Sequence, residues 1–504
     1  MKAIILKLIQ NKHVLFSIAL SIILILPFYN YIDSGAYIAE PNDKPYYLSV
    51  AEELDETGRL QDGTVQPHES VRSTQNGLIF AYTLFRQFTT DTELISLLAS
   101  TTAFILFVLS LYVIFKIARY VGLSELESYL CVLFVSLNGI YFHTSIKGLT
   151  ESFFYPAAML WVYYHIKCIS DTESPRLTTW LIFGIISYFL MQFRVQALLL
   201  FFSSSLYFLF RKEWKKSFKV SFIYGFSLAI VLSISYILSD NILGPGEVGH
   251  LGNINNSRTN VGANLIAFIQ AYVTNRFIWT SLKGILLFNI SLKGILFISI
   301  SLITLGAVIF RGFRNLVKNN INNETFLFLC VIISIIALFL FKQSPLKIRY
   351  IYYTFPLYII LLFKFLKVAR TNTIQGTIVI CIFLIFTNFS FIYFKKHFFE
   401  HYAGKDKITN NVESYYTIKH LYQTYKPNNI YLFKETMVGR RIIHAATGHP
   451  VQSAHDKTKF VDDSFLVIDQ KNMNKNNIIP SIDSYSKIGE YNYFRNGYTI
   501  YYIH

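Results

Sequence analysis

Charge is what this sequence has least of. Only 15% of its 504 residues are charged, and acids are the rarer sign, 30 Asp and Glu against 46 Lys and Arg. With 53% of the residues apolar, that scarcity excludes a disordered chain and argues against a soluble globular enzyme. The runs 220–238 and 326–341 carry no charge over most of a bilayer thickness, as membrane-spanning helices do. Cysteine is nearly missing too. Cys131, Cys168, Cys330 and Cys381 lie in or beside apolar runs, so no disulfide framework is implied. No His and Cys cluster has metal-ligand spacing. A formal charge of +16 raises the thought of nucleic acid, but the basic residues are dispersed between apolar runs, so no nucleic-acid partner is expected.

The pattern present is that of a mainly α, polytopic membrane protein. A hydropathy window of about 19 residues marks Val14 to Phe28, then spans near 94–115, 129–145, 151–168, 178–193, 196–210, 220–238, 289–310, 326–341, 351–366 and 373–394, about eleven in all. The first run follows Lys2, Lys7 and Lys12 as a signal peptide would. Pro27-Phe28-Tyr29-Asn30 lacks a small-residue cleavage pattern, however, and the run reads as an uncleaved span. With the N-terminus inside, the inner connections carry Lys116 and Arg119; Lys167 and Arg176; Arg211, Lys212, Lys215, Lys216 and Lys219; Arg311, Arg314 and Lys318; and Lys364, Lys367 and Arg370. Every short connection on that side is basic, as the positive-inside rule requires. An odd number of spans exports the C-terminus.

Two domains are expected, a transmembrane domain over 1–394 and a small extracytoplasmic α/β domain over 395–504. The tail turns polar, Asn-rich and Tyr-rich. Val412 to Tyr425 has helical spacing and stops before Pro427, while Ile430–Phe433, Phe465–Ile468 and Tyr498–Ile503 read as short strands. A local duplication, Ser281 to Leu286 repeated as Ser291 to Leu296, puts its two lysines about 80° apart around a helix, so they share no face.

The first outer loop, about 31–93, is the informative segment. Asp33, Glu40, Asp43, Glu52, Glu53, Asp55, Glu56, Asp62 and Glu69 gather there. Tyr46 to Thr57 places Tyr47, Ala51 and Leu54 on one helical face with acids elsewhere, and Gly58 closes it, which predicts an amphipathic helix at the membrane surface. Asp43 stands at or just before its start, where the helix dipole favours a carboxylate. It reads as an N-cap, as a chemical group, or as both. Asp33 beside Gly35 reads as a turn residue.

These residues resemble a family. Asp43, Tyr47, Ala51, Leu54 and Gly58, at their spacing, resemble the first-loop signature of the GT-C superfamily, the polytopic glycosyltransferases that include bacterial aminoarabinose transferases and protein mannosyltransferases. Thr150-Glu151-Ser152-Phe153-Phe154 resembles the family's Thr-Glu motif at the outer start of the fourth span. Arg194, between the fifth and sixth spans, resembles a recurrent arginine, and Arg349-Tyr350 with Pro356 resembles the Arg-Tyr motif of a late span. Two positions depart from the pattern. Lys44 follows Asp43 where the family usually has a second acid, and Arg72-Ser73-Thr74 replaces a Lys-Pro-Pro element.

The resemblance implies that Asp43 is the catalytic base and Glu151 a second carboxylate of the site, with a divalent cation, Mg or Mn, as the cofactor such a pair could hold. It implies a polyprenyl-phosphate sugar donor, a glycan, lipid or protein acceptor, and the extracytoplasmic side of a bacterial inner membrane. Chemistry supports the same division of labour. A sugar on a polyprenyl phosphate departs with an anionic phosphate, so no strong general acid is needed, unlike glycoside hydrolysis. One carboxylate to take the acceptor proton and cations for the growing phosphate charge suffice. Arg72, Arg194, Lys347 and Arg349, with Tyr350 beside them, are the outer-face candidates for holding phosphate. Arg194, Lys347 and Arg349 also read as snorkelling anchors at span ends, and Glu151 as a helix-start residue or half of an ion pair. Two further classes fit apolar sequences of this kind. A glycolipid flippase or permease would place charge near mid-span, and an O-antigen polymerase or ligase would carry its large outer loop late. The early acidic loop and nearly charge-free span centres favour the transferase.

Overall fold

The computed structural model describes residues 12–39, 44–64, 69–70, 76–239, 292–340, 352–369, 405–433, 437–454, 458–470, 485–493 and 496–504. The span expected near 373–394 and the first copy of the duplication lie outside these.

Among the described residues the protein is mainly helical with a small mixed sheet near the C-terminus. Helix α1 (Lys12–Asp33) is followed by a turn at Gly35, φ +67°, and the short α2 (Ala36–Ala39). The amphipathic helix of the first loop is α3 (Lys44–Thr57), ended by Gly58 at φ +72°, a left-handed stop of the kind its sequence predicts. A two-stranded ladder, β1 (Gln61–Asp62) with β2 (Glu69–Ser70), and α4 (Gly77–Arg86) lead to α5 (Thr92–Tyr120). Asp91 caps α5 by accepting from the Glu93 N–H at 2.8 Å.

One expected span is two helices. Over 129–145 the chain forms α6 (Glu125–Ser136) and α7 (Gly139–Ile146), because Asn138 breaks the helix and caps the next, its Oδ1 accepting from the Tyr141 N–H at 2.9 Å. α8 (Thr150–Tyr164) runs on into a π-helical turn, His165–Ser170. Then come α9 (Leu177–Phe193), α10 (Ala197–Phe210), α11 (Trp214–Ser239), α12 (Leu292–Val317), α13 (Asn323–Leu340) and, after a short 3-10 turn, α14 (Phe355–Ala369).

Two of the described helices, α5 and α11, are long and apolar enough to cross a membrane. The bundle turns aromatic and aliphatic side chains outward, Leu109 on α5 and Phe218, Phe222 and Phe226 on α11 among them. Water would penalise such a surface, and lipid would not. One end of the bundle collects the basic connections. Lys364 and Lys367 donate to the Val121 and Gly122 carbonyls, Arg211 donates to Ser170 Oγ, and Arg311 pairs with Glu324. The other end collects the starts of α5 and α8 and the ends of α9 and α11, where the Leu60 N–H donates to the Leu238 carbonyl at 2.9 Å.

The C-terminal unit has α15 (Lys405–Tyr425), β3 (Asn429–Phe433), α16 (Met437–Thr447), β4 (Val451–Ala454), β5 (Ser464–Asp469), β6 (Tyr485–Tyr493) and β7 (Asn496–Ile503). The strand order is β4-β3-β5-β7-β6; β3 is parallel to β4 and β5, and β7 is antiparallel to β5 and β6. The period-two alternation splits the core. Ile430, Leu432, Phe465 and Val467 pack with Tyr415 and Ile418 of α15 and Ile442 of α16. Tyr431, Phe433, Leu466 and Ile468 fill the opposite face with Phe460.

Candidate active site

The entrance to α8 is built around a glycine. Gly148 has φ +68°, and a Cβ there would lie 3.1 Å from both the Ala99 carbonyl carbon and the Ser100 nitrogen of α5. This close approach lets the Tyr82 hydroxyl of α4 donate to the Gly148 carbonyl at 2.6 Å. Burial pushes the Tyr82 phenol up from its ordinary value, which keeps it a donor. Ser152 closes the turn, accepting from the Leu149 N–H at 3.3 Å and donating to the Thr144 carbonyl at 2.9 Å. Thr150 and Glu151 thereby start α8, where the helix dipole favours a carboxylate, and Glu151 is only 1% exposed.

Arg194 comes in from the end of α9. Its backbone leaves the helix in an extended conformation, φ −158° and ψ 134°, and its side chain is buried. It forms an ion pair with Glu151. Its Nη2 also donates to Thr150 Oγ1 at 2.8 Å, and that hydroxyl donates to Glu151 Oε2 at 3.1 Å. A carboxylate, a hydroxyl and a guanidinium thus form one network. Such a pair holds a guanidinium in one orientation, which an arginine on a flexible stem lacks by itself.

α3 reaches the same support. Lys44, its first residue, is fully buried, and its Nζ donates to the Tyr37 carbonyl at 2.5 Å and to Ser100 Oγ at 3.3 Å. The residue after Asp43 and the glycine three residues before Glu151 therefore both rest on Ser100 of α5.

Of the sequence-predicted site residues, Glu151 and Arg194 are in contact. Asp43, Arg72, Lys347, Arg349 and Tyr350 lie outside the described residues. Sequence reasoning did not single out Tyr82 or Ser100, which sit in ordinary helical runs. Lys44 had shown only as a departure from a motif, and Thr150 only as its neighbour. A small residue before Thr-Glu was the available signal for Gly148.

The acids of the first loop divide by partner. Arg86 of α4 reaches Glu52 and Asp55 at 3.4 Å and Glu56 at 3.6 Å, and His444 of α16 meets Glu52 at 3.1 Å. Burial opposes the Glu52 charge, but the hydrogen bond and charge from His444, with Arg86, outweigh it and hold the carboxyl below its ordinary value. Arg441 of α16 lies over the Tyr46 ring, 4.6 Å from its centroid, and the Val451 N–H donates to the Thr64 carbonyl at 3.0 Å. Glu52, with the Tyr46 ring and the Thr64 carbonyl, docks the first loop onto the C-terminal unit.

A metal is not supported by the residues described. Among them no group of three or more His, Cys, Asp or Glu side chains gathers, and Glu151 pairs with the Arg194 guanidinium.

No protein-family profile and no curated protein matches the chain. Among solved structures it is similar to the crystal structure of the Archaeoglobus fulgidus oligosaccharyltransferase, in complex with zinc and sulfate. The TM-score is 0.54 at 10% identity, over 89% of this chain and 68% of that one. The chain has the GT-C fold.

Proposed function

We propose that the chain is an integral membrane glycosyltransferase that moves a sugar from a polyprenyl-phosphate donor to an acceptor hydroxyl on the outer face of a bacterial inner membrane, with inversion. The observation that carries this is the shared footing on Ser100 of the helix that follows Asp43 and the turn that presents Glu151 to Arg194, in a chain with the GT-C fold. Fold alone assigns no chemistry, so the weight rests on that juxtaposition. About eleven spans, with the N-terminus inside and the C-terminal unit outside, complete the reading.

Asp43 accepts the proton of the acceptor hydroxyl as its oxygen attacks the anomeric carbon. The bond from that carbon to the phosphate oxygen breaks, and polyprenyl phosphate leaves with the electron pair. Arg194, oriented by Glu151, stabilises the phosphate charge as it grows, with Arg72, Lys347, Arg349 and Tyr350 as further holders of that phosphate. A single displacement inverts the anomeric centre. Glu151 acts as a positioning residue, since its carboxylate faces the guanidinium.

Membranes from cells carrying Asp43→Asn at native abundance should lose one glycan modification by mass spectrometry. The purified variant should fail to transfer from a polyprenyl-phosphate sugar. Unchanged glycans together with unchanged transfer would remove Asp43 from the chemistry.

A further inference from the structure

The end of the bundle far from Glu151 holds a second feature that the transfer reaction does not use. Glu151 opens α8 and Lys167 lies in the π-helical turn that ends it, sixteen residues later, a rise of about 24 Å. Around Lys167, between the ends of α5 and α8 and the start of α6, is a cavity of about 390 Å³. That volume lies in the range of small-ligand pockets. Its lining includes Lys116, Arg119 and Lys167, the rings of Tyr120 and Tyr163, and one acid, Glu125.

Three cations against one carboxylate leave a formal charge of +2 on these walls. Four other cations at this end are committed to acids. Arg211 and Lys216 each meet Glu213 at 2.8 Å, Arg311 pairs with Glu324, and Lys367 lies 3.7 Å from Glu127. Among the described residues Lys116, Arg119 and Lys167 form no ion pair, although they line one cavity. Each is nonetheless held in place. Lys116 Nζ lies 5.2 Å from the Tyr112 ring centroid and Lys167 Nζ 5.5 Å from that of Tyr163. Tyr163 packs edge-on against Tyr120 with 5.8 Å between centroids. Arg119 spends one Nη1 hydrogen on the Leu123 carbonyl at 2.7 Å, which fixes the guanidinium fork and leaves its other donors for a ligand. Glu125 accepts from the Tyr129 hydroxyl at 3.2 Å.

Pre-positioned cations lining one cavity with aromatic walls suit an anion with several acceptor oxygens. We propose that this cavity binds a phosphate ester, and that its source is the headgroup of an anionic lipid in the leaflet at the basic end of the bundle. Lipid is the favoured source because the cavity opens where the apolar, outward-facing surface of α5 ends, so a headgroup can enter while its chains stay against the helices. This site is independent of the transfer reaction.

The test uses the full chain in neutral detergent, delipidated and titrated with phosphatidylglycerol or phosphatidylcholine, with bound lipid counted by native mass spectrometry. The native protein should retain phosphatidylglycerol in preference to phosphatidylcholine. Lys116→Gln, Arg119→Gln and Lys167→Gln combined should weaken that binding about a hundredfold, from about fivefold per cation. Lys215→Gln with Lys219→Gln, at the same end but outside the cavity, should leave it unchanged. The charge-preserving set Lys116→Arg, Arg119→Lys and Lys167→Arg should keep most of it, which separates lost charge from lost folding. Soluble glycerol 3-phosphate, added alone, distinguishes the sources. Protection of Lys116 and Lys167 from acetylation by it would support the phosphate site and assign it to a soluble ester, whereas protection by the lipid only assigns the headgroup. Equal retention of the two lipids, or equal loss in the cavity and control variants, would overturn the proposal.

Discussion

Arg194→Met tests whether the Glu151 network is a tightly coupled unit. The two side chains are 9% and 2% exposed, so solvent screens their attraction little. At an effective dielectric of about 20, opposite charges about 4 Å apart attract by about 4 kcal/mol. Removing the guanidinium also strips Thr150 Oγ1 of its 2.8 Å partner and takes the ion-pair partner from a carboxylate that is 1% exposed. Loss of one partner from a buried pair costs about 3–5 kcal/mol, whereas removing both charges together costs far less. Glu151→Gln with Arg194→Met should therefore be milder than the two single costs added, with a coupling of about 2–3 kcal/mol. Cys131 and Cys330 are buried thiols and supply the assay. Their reaction with a maleimide dye during thermal unfolding in detergent reports the loss of the folded bundle. A cost below about 1 kcal/mol for Arg194→Met, or single costs that simply add in the double variant, would refute a coupled buried pair.

Gly148→Ala should destabilise by about 2–4 kcal/mol, since it combines left-handed strain with an overpacked contact against α5, and the same thiol assay reads it. Tyr82→Phe should cost about 1–3 kcal/mol by leaving the buried Gly148 carbonyl without its donor, again read as earlier thiol exposure. Docking of the first loop on α16 should depend on pH. The Glu52 carboxyl is held below its ordinary value in the folded state, so its contribution is present above the usual carboxylate range and is lost as pH falls through the lowered value. Hydrogen exchange of α16 amides, corrected for the intrinsic rate, should rise across that acid window in the native protein, and Glu52→Gln should remove the step.

The sequence alone determined the class of architecture. Charge-free runs, basic connections and an acidic first loop are one-dimensional signals, because lipid tolerates few charges and helices satisfy their own backbone. α3 with its Gly58 stop, the helix from Val412 and three strands of the C-terminal sheet were legible for the same reason, as period and punctuation. The structure begins α15 at Lys405, splits 129–145 at Asn138, and adds α16, β4 and β6, whose sequences have weaker periodicity. Which acid does what was decided only by tertiary structure. Glu52 and Glu151 are both carboxylates on helices, yet Glu52 meets His444, distant in sequence, while Glu151 closes on Arg194 and Thr150. Partner choice depends on which helix ends the fold brings together in a low-dielectric interior, and no local pattern records that. The same holds for Lys116, Arg119 and Lys167. In sequence they are three more inner-side basic residues, and only the packing of α5 against α8 turns them into the walls of one cavity.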